Sequence, residues 1–312
     1  MRPEVVESEP GITAALIVVS FGSSALLEEN LAVATLPAGV RVVVVDCFSS
    51  AQEQVRVAEL CEVHGWRCVL LAENAGFGGG VNAGAAVAQR EGAAVIATLN
   101  PDATIDEQSL ALLVSAAKED HLSLFSPRIV TGEGKDWFNG ADLYLDDGST
   151  ASRRRRKEHA GRPRREWATG ACFAVSAELW RTVGGFDEEY FLYWEDIDLS
   201  HRILDAGGRL VVLEGATAIH EEGQTSGREA ADRTKSPTYY YFNIRNRLLY
   251  GVKHLDDSAL SGWLRSSRAV SYRILLQGGR KQLMMSLAPW RAYRRGLRDG
   301  RRIVARHRRS LR

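Results

Sequence analysis

The run Ala14-Ala15-Leu16-Ile17-Val18-Val19-Ser20 is the first of four short apolar segments in this 312-residue chain, and its reading decides the fold. The others are Val42 to Asp46, Cys68 to Ala72 and Val95 to Leu99, and a stretch of helical character follows each. Short Val- and Ile-rich runs of this kind read as strands. Strand-then-helix units in succession predict an α/β fold on a doubly wound, mostly parallel, Rossmann-like sheet. Ligands in such sheets bind beyond the carboxyl ends of the strands. Ser20 with Phe21, Asp46, Asn74 and Asn100 fall just past four successive ends, so they are expected to line one cleft.

Two of those ends carry distinctive turn chemistry. Asn74-Ala75-Gly76-Phe77-Gly78-Gly79-Gly80-Val81-Asn82-Ala83-Gly84 passes from a strand into a helix. Glycines there admit close approach of backbone to a phosphate or ring, and a helix start favours anions. Gly78-x-Gly80-x-x-Ala83 also fits a relaxed dinucleotide fingerprint with Asp102 downstream, but that fingerprint belongs to the first strand-turn-helix unit and this is the third. The plainer reading is a tight connection. Leu99-Asn100-Pro101-Asp102 ends the fourth strand, and Pro101 stiffens the turn that presents Asp102. A carboxylate so placed suits a hard divalent cation, Mg²⁺ or Mn²⁺, whose remaining ligands a diphosphate can supply.

Composition sets the class. With 45% hydrophobic and 25% charged residues, the chain can form one large or two modest globular domains. Cys47, Cys61, Cys68 and Cys172 show no metal-type spacing and no disulfide framework, and the first residues, with Glu4, Glu7 and Glu9, do not read as a leader. A reducing, cytoplasmic setting is the expectation. The net charge of +1 hides an asymmetry, because residues 258–312 hold fifteen Lys and Arg against Asp299 alone. That part carries +14 and the remainder −13. Leu283, Leu287, Trp290, Tyr293, Leu297 and Val304 recur there at helical spacing among arginines, so a basic amphipathic helix is expected, weakened by Pro289, Gly296 and Gly300. Such a helix suits an anionic partner, a membrane surface on the inner face of the cell membrane or nucleic acid. Arg153-Arg154-Arg155-Arg156-Lys157 through Arg165 reads as an exposed, mobile loop.

Gly184-Gly185-Phe186-Asp187, then Trp194-Glu195-Asp196-Ile197-Asp198-Leu199, then Arg202 and Ile219-His220, place four acids, a helix start and a histidine in one stretch. Asp187 can cap a turn, and Glu195 and Asp196 open a helix with Ile197, Leu199, Ile203 and Leu204 at apolar spacing. The two adjacent acids point about 100° apart on a helix, so they cannot face each other as an acid–base pair. Arg245 and Arg247 carry guanidinium forks suited to a diphosphate.

This stretch, with Val18-Val19-Ser20-Phe21, Asp46, Asn74 to Gly84 and Asn100-Pro101-Asp102 in order before it, resembles the family 2 inverting glycosyltransferases of GT-A fold, rhamnosyltransferase-like members above all. The resemblance covers about residues 12–250. It implies a GT-A catalytic domain over 1–235, with a nucleotide-sugar half at 12–125 and an acceptor half at 126–235, followed by a helix-rich basic region over 236–312. It assigns the general base to Asp196 and sugar or acceptor contacts to Gly185, Asp187, Trp194 (a stacking platform) and Glu195. Gly76, Gly79 and Asn82 would line the nucleotide site with Ser20, Phe21, Asn74, Asn100 and Asp102. Asp46 would recognise the base, although Cys47 follows where Asn is common. Asp102 and His220 would hold the metal, with Asn100 in place of the first acid of a D-x-D motif.

The expected activity is metal-dependent transfer of a hexosyl group, rhamnosyl included, from a UDP- or dTDP-sugar to a hydroxyl of a lipid-linked or cell-surface glycan. Two other classes compete. A nucleotidyltransferase or NAD-dependent enzyme needs a fingerprint in the first turn, where Ser20 to Ser24 holds one glycine. An arginine-rich nucleic-acid-binding protein leaves Gly184 to His220 unexplained, so no nucleic-acid partner is expected.

Overall fold

The computed structural model describes residues 13–220 and 234–310. In chain order its first part runs β1 (Ala14–Ser20), α1 (Ser24–Leu26), β2 (Val40–Asp46), α2 (Ala51–His64), β3 (Arg67–Leu70), α3 (Gly76–Arg90), β4 (Val95–Leu99), β5 (Ala103–Ile105) and α4 (Glu107–Glu119). The middle holds β6 (Ser123–Val130), β7 (Asp136–Phe138), β8 (Ala141–Tyr144), β9 (Thr150–Ser152), β10 (Arg164–Trp167), β11 (Cys172–Ser176), α5 (Ala177–Val183), α6 (Glu195–Asp205) and β12 (Arg209–His220). Four helices close the chain: α7 (Pro237–His254), α8 (Asp257–Leu276), α9 (Arg280–Met285) and α10 (Ala288–Ser310). Among the described residues no helix is long and apolar enough to cross a membrane.

The main sheet has the order β3-β2-β1-β4-β11-β6-β12-β5, with β7 beside β6. Strands β1 to β4 are mutually parallel and β12 runs parallel to β6, while β11 and β5 run against their neighbours. This mixed, mostly parallel sheet carries helices in the GT-A manner. The two reversed strands matter for the site. Antiparallel β11 begins at the edge where β4 ends, since Cys172 pairs with Leu99. Antiparallel β5 begins where β12 ends, since Ala103 pairs with His220. One edge therefore gathers the carboxyl ends of β1, β2, β4 and β12 and the starts of β11 and β5.

Local rules explain most element ends. Ser50 and Asp106 cap α2 and α4 by accepting from Glu53 N–H at 3.2 Å and Ser109 N–H at 2.7 Å. Helix α3 lies unusually close to the sheet because of its glycines. A Cβ at Gly80 would come within 2.7 Å of Val19, and one at Gly84 within 2.6 Å of Ile17. The glycine run thus serves helix-on-sheet packing on this face.

The basic segment from Arg153 differs from the expected loop. Residues Arg153–His159 form a 3₁₀ helix, and β8, β9 and β10 make a separate three-stranded sheet. Fully buried Asp142 organises it, accepting from Arg156 Nε and Nη2 at 2.7 Å each. Arg162 pairs with Asp146 and Asp147, and Arg154 with Asp136. Alternation of charge along the sequence hid these pairs, because each joins residues from different strands or turns.

The C-terminal region also departs from expectation. The helix starts at Ala288, beyond a break at Ser286 and Leu287, and its buried face is Ala292, Gly296, Leu297, Gly300 and Val304, packed on α7. Gly296 and Gly300 do not weaken it; they let two backbones approach. A Cβ at Gly296 would stand 2.8 Å from the Tyr241 carbonyl oxygen, and one at Gly300 3.0 Å from Leu248. Of the apolar stripe read as free for a partner, Leu297 and Val304 are therefore buried, while Leu287 stays exposed.

Gly296→Val should lower unfolding free energy by roughly 1–3 kcal/mol through overpacking. Gly262→Ala in α8, where the nearest atom to an added Cβ is 3.8 Å away, should be neutral or stabilising by up to about 1 kcal/mol. Urea denaturation of both variants checks the pair, and equal stabilities would contradict the close α7–α10 contact.

Candidate functional site at the strand ends

Ser20 and Asp46 are fully buried at the ends of β1 and β2, and Phe21 is 51% exposed beside them. Ser20 Oγ lies 3.0 Å from Ser23 Oγ. Asp46 accepts from Phe48 N–H at 3.0 Å, yet burial outweighs that bond and raises its pKa. Asn74 accepts from Gly76 N–H at 2.9 Å and starts α3.

Beyond β4 the Asn100-Pro101-Asp102 turn is tied down by Asn30, whose amide donates to the Pro101 carbonyl at 2.9 Å. Here the reversed strand β5 brings Asp102 to the end of β12. Asp102 Oδ1 lies 3.2 Å from His220 Nε2, and Asn100 Nδ2 lies 3.4 Å from the same nitrogen. Asp102 and His220 are both buried, and Trp137 stacks on the imidazole at 4.3 Å. His220 Nδ1 is buried without a hydrogen-bond partner among the described residues. A carboxylate, an amide and an imidazole around one point form an oxygen-and-nitrogen donor set that fits Mn²⁺ or Mg²⁺. A second cluster, His201, Asp205 and His254, has its donors engaged elsewhere: Arg165 and His201 hold Asp205, Tyr250 meets His201, and Asp198 holds His254.

Asp196 reaches the same edge from α6. Its carboxylate accepts from Gly170 N–H at 3.2 Å and Ile197 N–H at 2.8 Å. The next residue, Ala171, accepts from Asn100 N–H at 2.8 Å, so the Gly170-Ala171 backbone joins Asp196 to the β4 turn. Burial raises the Asp196 pKa to about 6 against those two bonds, and it holds Glu195 well above the usual carboxylate range, with Asp196 beside it adding to the shift. Burial thus disfavours the charged form of both neighbouring carboxyls.

Several expected contacts serve the scaffold. Trp194 is 5% exposed and packs on Tyr250 and Trp263 at 5.6 and 6.3 Å, so it is a core residue and no stacking platform. Arg247, read from the sequence as a diphosphate contact, is fully buried and donates to the carbonyls of Asp147 and Trp263; it does not serve a diphosphate, and burial lowers its pKa to about 9. Asn82 clamps Phe186, accepting from its N–H and donating to its C=O at 2.9 Å each, which fixes the Gly184-Gly185 turn. Gly185 sits at φ +67° against Asn82, and Gly76 at φ +75° faces the Phe191 carbonyl. A Cβ at Gly79 would come within 2.8 Å of Ala75, inside the first turn of α3. Asp187 accepts from Glu189 N–H at 3.0 Å and pairs with Lys253 at 2.7 Å. Arg245 donates to the Glu189 carbonyl at 2.8 Å.

The residue that the sequence reading passed over is Asn246, between the two arginines it weighed. Asn246 is fully buried, and its Nδ2 donates toward the carbonyls of Tyr190, Leu192 and Tyr193 at 2.9, 2.9 and 2.7 Å. Those carbonyls belong to a strained segment: Phe191, Tyr193 and Trp194 have φ of 65°, 63° and 78°. Gly170 and Trp137 were passed over as well, because neither carries a side-chain function that a motif would flag.

A family model described as glycosyl transferase family 2 matches residues 15–180, a little over half of the chain. The chain is 40% identical over 83 residues to N-acetylglucosaminyl-diphospho-decaprenol L-rhamnosyltransferase of Mycobacterium tuberculosis, a match covering 27% of each. It is 26% identical over 183 residues to the low-salt glycan biosynthesis hexosyltransferase Agl10 of Haloferax volcanii, covering 56% of this chain and 57% of that one. The chain thus spans between about a quarter and three fifths of the length of these relatives. Its fold is similar to mannosyltransferase PcManGT of Pyrobaculum calidifontis in complex with GDP-Man and Mn²⁺ (TM-score 0.52, 16% identity, 97% of this chain and 89% of that one). It is also similar to GalNAc-T7 with UDP, GalNAc and Mn²⁺ (TM-score 0.52, 16% identity, 88% and 58%).

Asn246→Ala should lower stability by about 1–3 kcal/mol by stranding buried carbonyls. Asn246→Asp should fare no better, because a carboxylate cannot donate to them. Urea midpoints check both, and a wild-type midpoint for Asn246→Asp would contradict the donor role.

Proposed function

The chain belongs to glycosyl transferase family 2, and on that premise we propose an inverting, metal-dependent hexosyltransferase that moves a sugar, rhamnose foremost, from a UDP- or dTDP-sugar to a hydroxyl of a glycan or lipid-linked acceptor. The observation that carries this reading is the convergence of Asn100, Asp102 and His220 beside an Asp196 held by Gly170. Rhamnosyl and hexosyl transfer in the relatives' names, and the nucleotides and Mn²⁺ in the neighbours' structures, support it.

Inversion requires the acceptor hydroxyl to lose its proton while its oxygen attacks the anomeric carbon opposite the departing diphosphate. Asp196 takes that proton. Two backbone N–H groups orient its carboxylate, and its raised pKa makes it a stronger base than an ordinary aspartate while leaving it ionised at neutral pH. Glu195, whose carboxyl burial holds well above the usual carboxylate range, meets a sugar or acceptor hydroxyl. Asp102, His220 and Asn100 would hold the cation, which when bound offsets charge on the leaving diphosphate. Asp46 at the end of β2 meets the nucleobase, and Ser20, Phe21 and Asn74 border the nucleotide. Arg245, on α7 against the loop before α6, would meet the diphosphate. Gly185 and Asp187 shape the acceptor side.

Release of nucleoside diphosphate from a panel of UDP-, dTDP- and GDP-sugars, with Mg²⁺, Mn²⁺ or chelator, tests the reading. Cation-dependent release from one donor is expected. No release from any donor, with no thermal stabilisation by any nucleotide, would refute it. Asp196→Asn should cut kcat by about 10²–10⁴-fold with donor affinity retained. The base must be ionised, so kcat/KM should fall as pH drops below about 6 and level off above it; a flat profile from pH 5 to 8 would remove Asp196 from the role. Asp102→Ala should abolish stimulation by the cation.

A further inference from the structure

Helix α9 presents a face that no packing explains. Arg280 and Met284, and Lys281 and Met285, are i,i+4 pairs on one side of the turn, and all are exposed. Met284 is 87%, Met285 76% and Leu287 68% exposed. The inner side is fixed: Gln282 accepts from Tyr240 Oη at 2.6 Å and donates to the Lys235 carbonyl at 2.7 Å, and Leu283 O accepts from Trp290 Nε1 at 3.0 Å. The apolar side chains are thus held outward on an anchored turn.

Next to this knuckle, Trp290 meets half-exposed Tyr272 at 6.3 Å, and Tyr272 stands one turn after Arg268 on α8. From there a groove of about 480 Å³ opens between α8 and α10, lined by Arg268, Arg294, Leu297, Arg298, Arg301 and Arg302 among others, with no acid in its lining. Asp299 beside it pairs with Arg298 and Arg302 at 2.9 and 3.6 Å, so the groove keeps a surplus of positive charge.

We propose that the Arg280–Leu287 knuckle and the arginine groove between α8 and α10 together form a docking surface for an anionic lipid bilayer. Met284, Met285 and Leu287 enter the headgroup–acyl boundary, Tyr272 and Trp290 sit at its level, and the arginines meet anionic headgroups. A nucleic acid would use the arginines and leave the three exposed apolar side chains idle. The surface is also tied to the site: Tyr240 anchors α9, and its neighbour Tyr239 joins Gln277 and packs on Tyr193 at 5.2 Å, three residues before Asp196. The buried residues Ala292, Gly296, Gly300 and Val304 of α10 take no part. This deepens the lipid-linked acceptor reading and rests on it.

Co-sedimentation of the full chain with vesicles of phosphatidylglycerol and phosphatidylcholine, and with phosphatidylcholine alone, tests the proposal, with nucleoside diphosphate release in vesicle-free buffer measured in parallel. Wild type should partition to the anionic vesicles only. M284D/M285D and R294Q/R298Q should each lose about tenfold or more in partitioning while releasing nucleoside diphosphate at the wild-type rate. Wild-type partitioning by either variant, or no partitioning by the wild type, overturns the docking surface and leaves the transferase reading standing. Capture by duplex DNA with no capture by vesicles overturns it in favour of a nucleic-acid surface. Loss of nucleoside diphosphate release in the wild type would instead strike the transferase reading.

Discussion

One buried amide holds the corner from which α6 starts. Asn246 has two N–H bonds and aims them at three carbonyls, those of Tyr190, Leu192 and Tyr193. The segment they belong to has three non-glycine residues in the left-handed region, Phe191, Tyr193 and Trp194, each costing of order 1–3 kcal/mol. Only a dense set of contacts keeps such a backbone, and α7 supplies it through Asn246, Arg245 and Lys253. The strain aims the start of α6 so that Asp196 meets Gly170. The C-terminal helices are therefore part of the architecture of the candidate site as well as a neighbour of it.

The glycines show the same logic from the other side. Gly76 faces the Phe191 carbonyl so closely that an added Cβ would overlap it, while Phe77 N–H donates to that carbonyl at 3.0 Å. The glycine-rich start of α3 is thus a second brace on the strained segment, and Asn82 a third through Phe186. Gly80 and Gly84 let α3 sit against β1 and β2. Close backbone approach is the common demand, and it accounts for the glycines before any nucleotide is considered.

Buried charge is handled by two different means. Asp142 is paired with Arg156, and the His254 imidazole and Arg202 guanidinium beside Asp198 hold its carboxyl below the usual carboxylate range against its burial. Glu195 and Asp196 have backbone N–H groups and each other, so burial dominates and both are raised. Structural acids are matched with cations, and the pair at the site is left unmatched, which is the arrangement that leaves a proton to move.

The sequence by itself determined the parallel half of the sheet, because uninterrupted β-branched runs punctuated by helices have few other solutions, and β1 and β4 were read at their observed ends. It also determined that Ser20, Asp46 and Asn100 would share an edge, since that follows from strand direction alone. It could not place Trp194, Arg247 or the stripe of α10, since whether an aromatic, a guanidinium or a helix face meets solvent depends on what packs over it. Nor could it single out Asn246, whose partners are backbone carbonyls more than fifty positions away and leave no pattern in side-chain type. Tertiary structure alone decided that β5 and β11 run backwards, and that reversal is what carries Asp102 to His220 and Gly170 to Asp196.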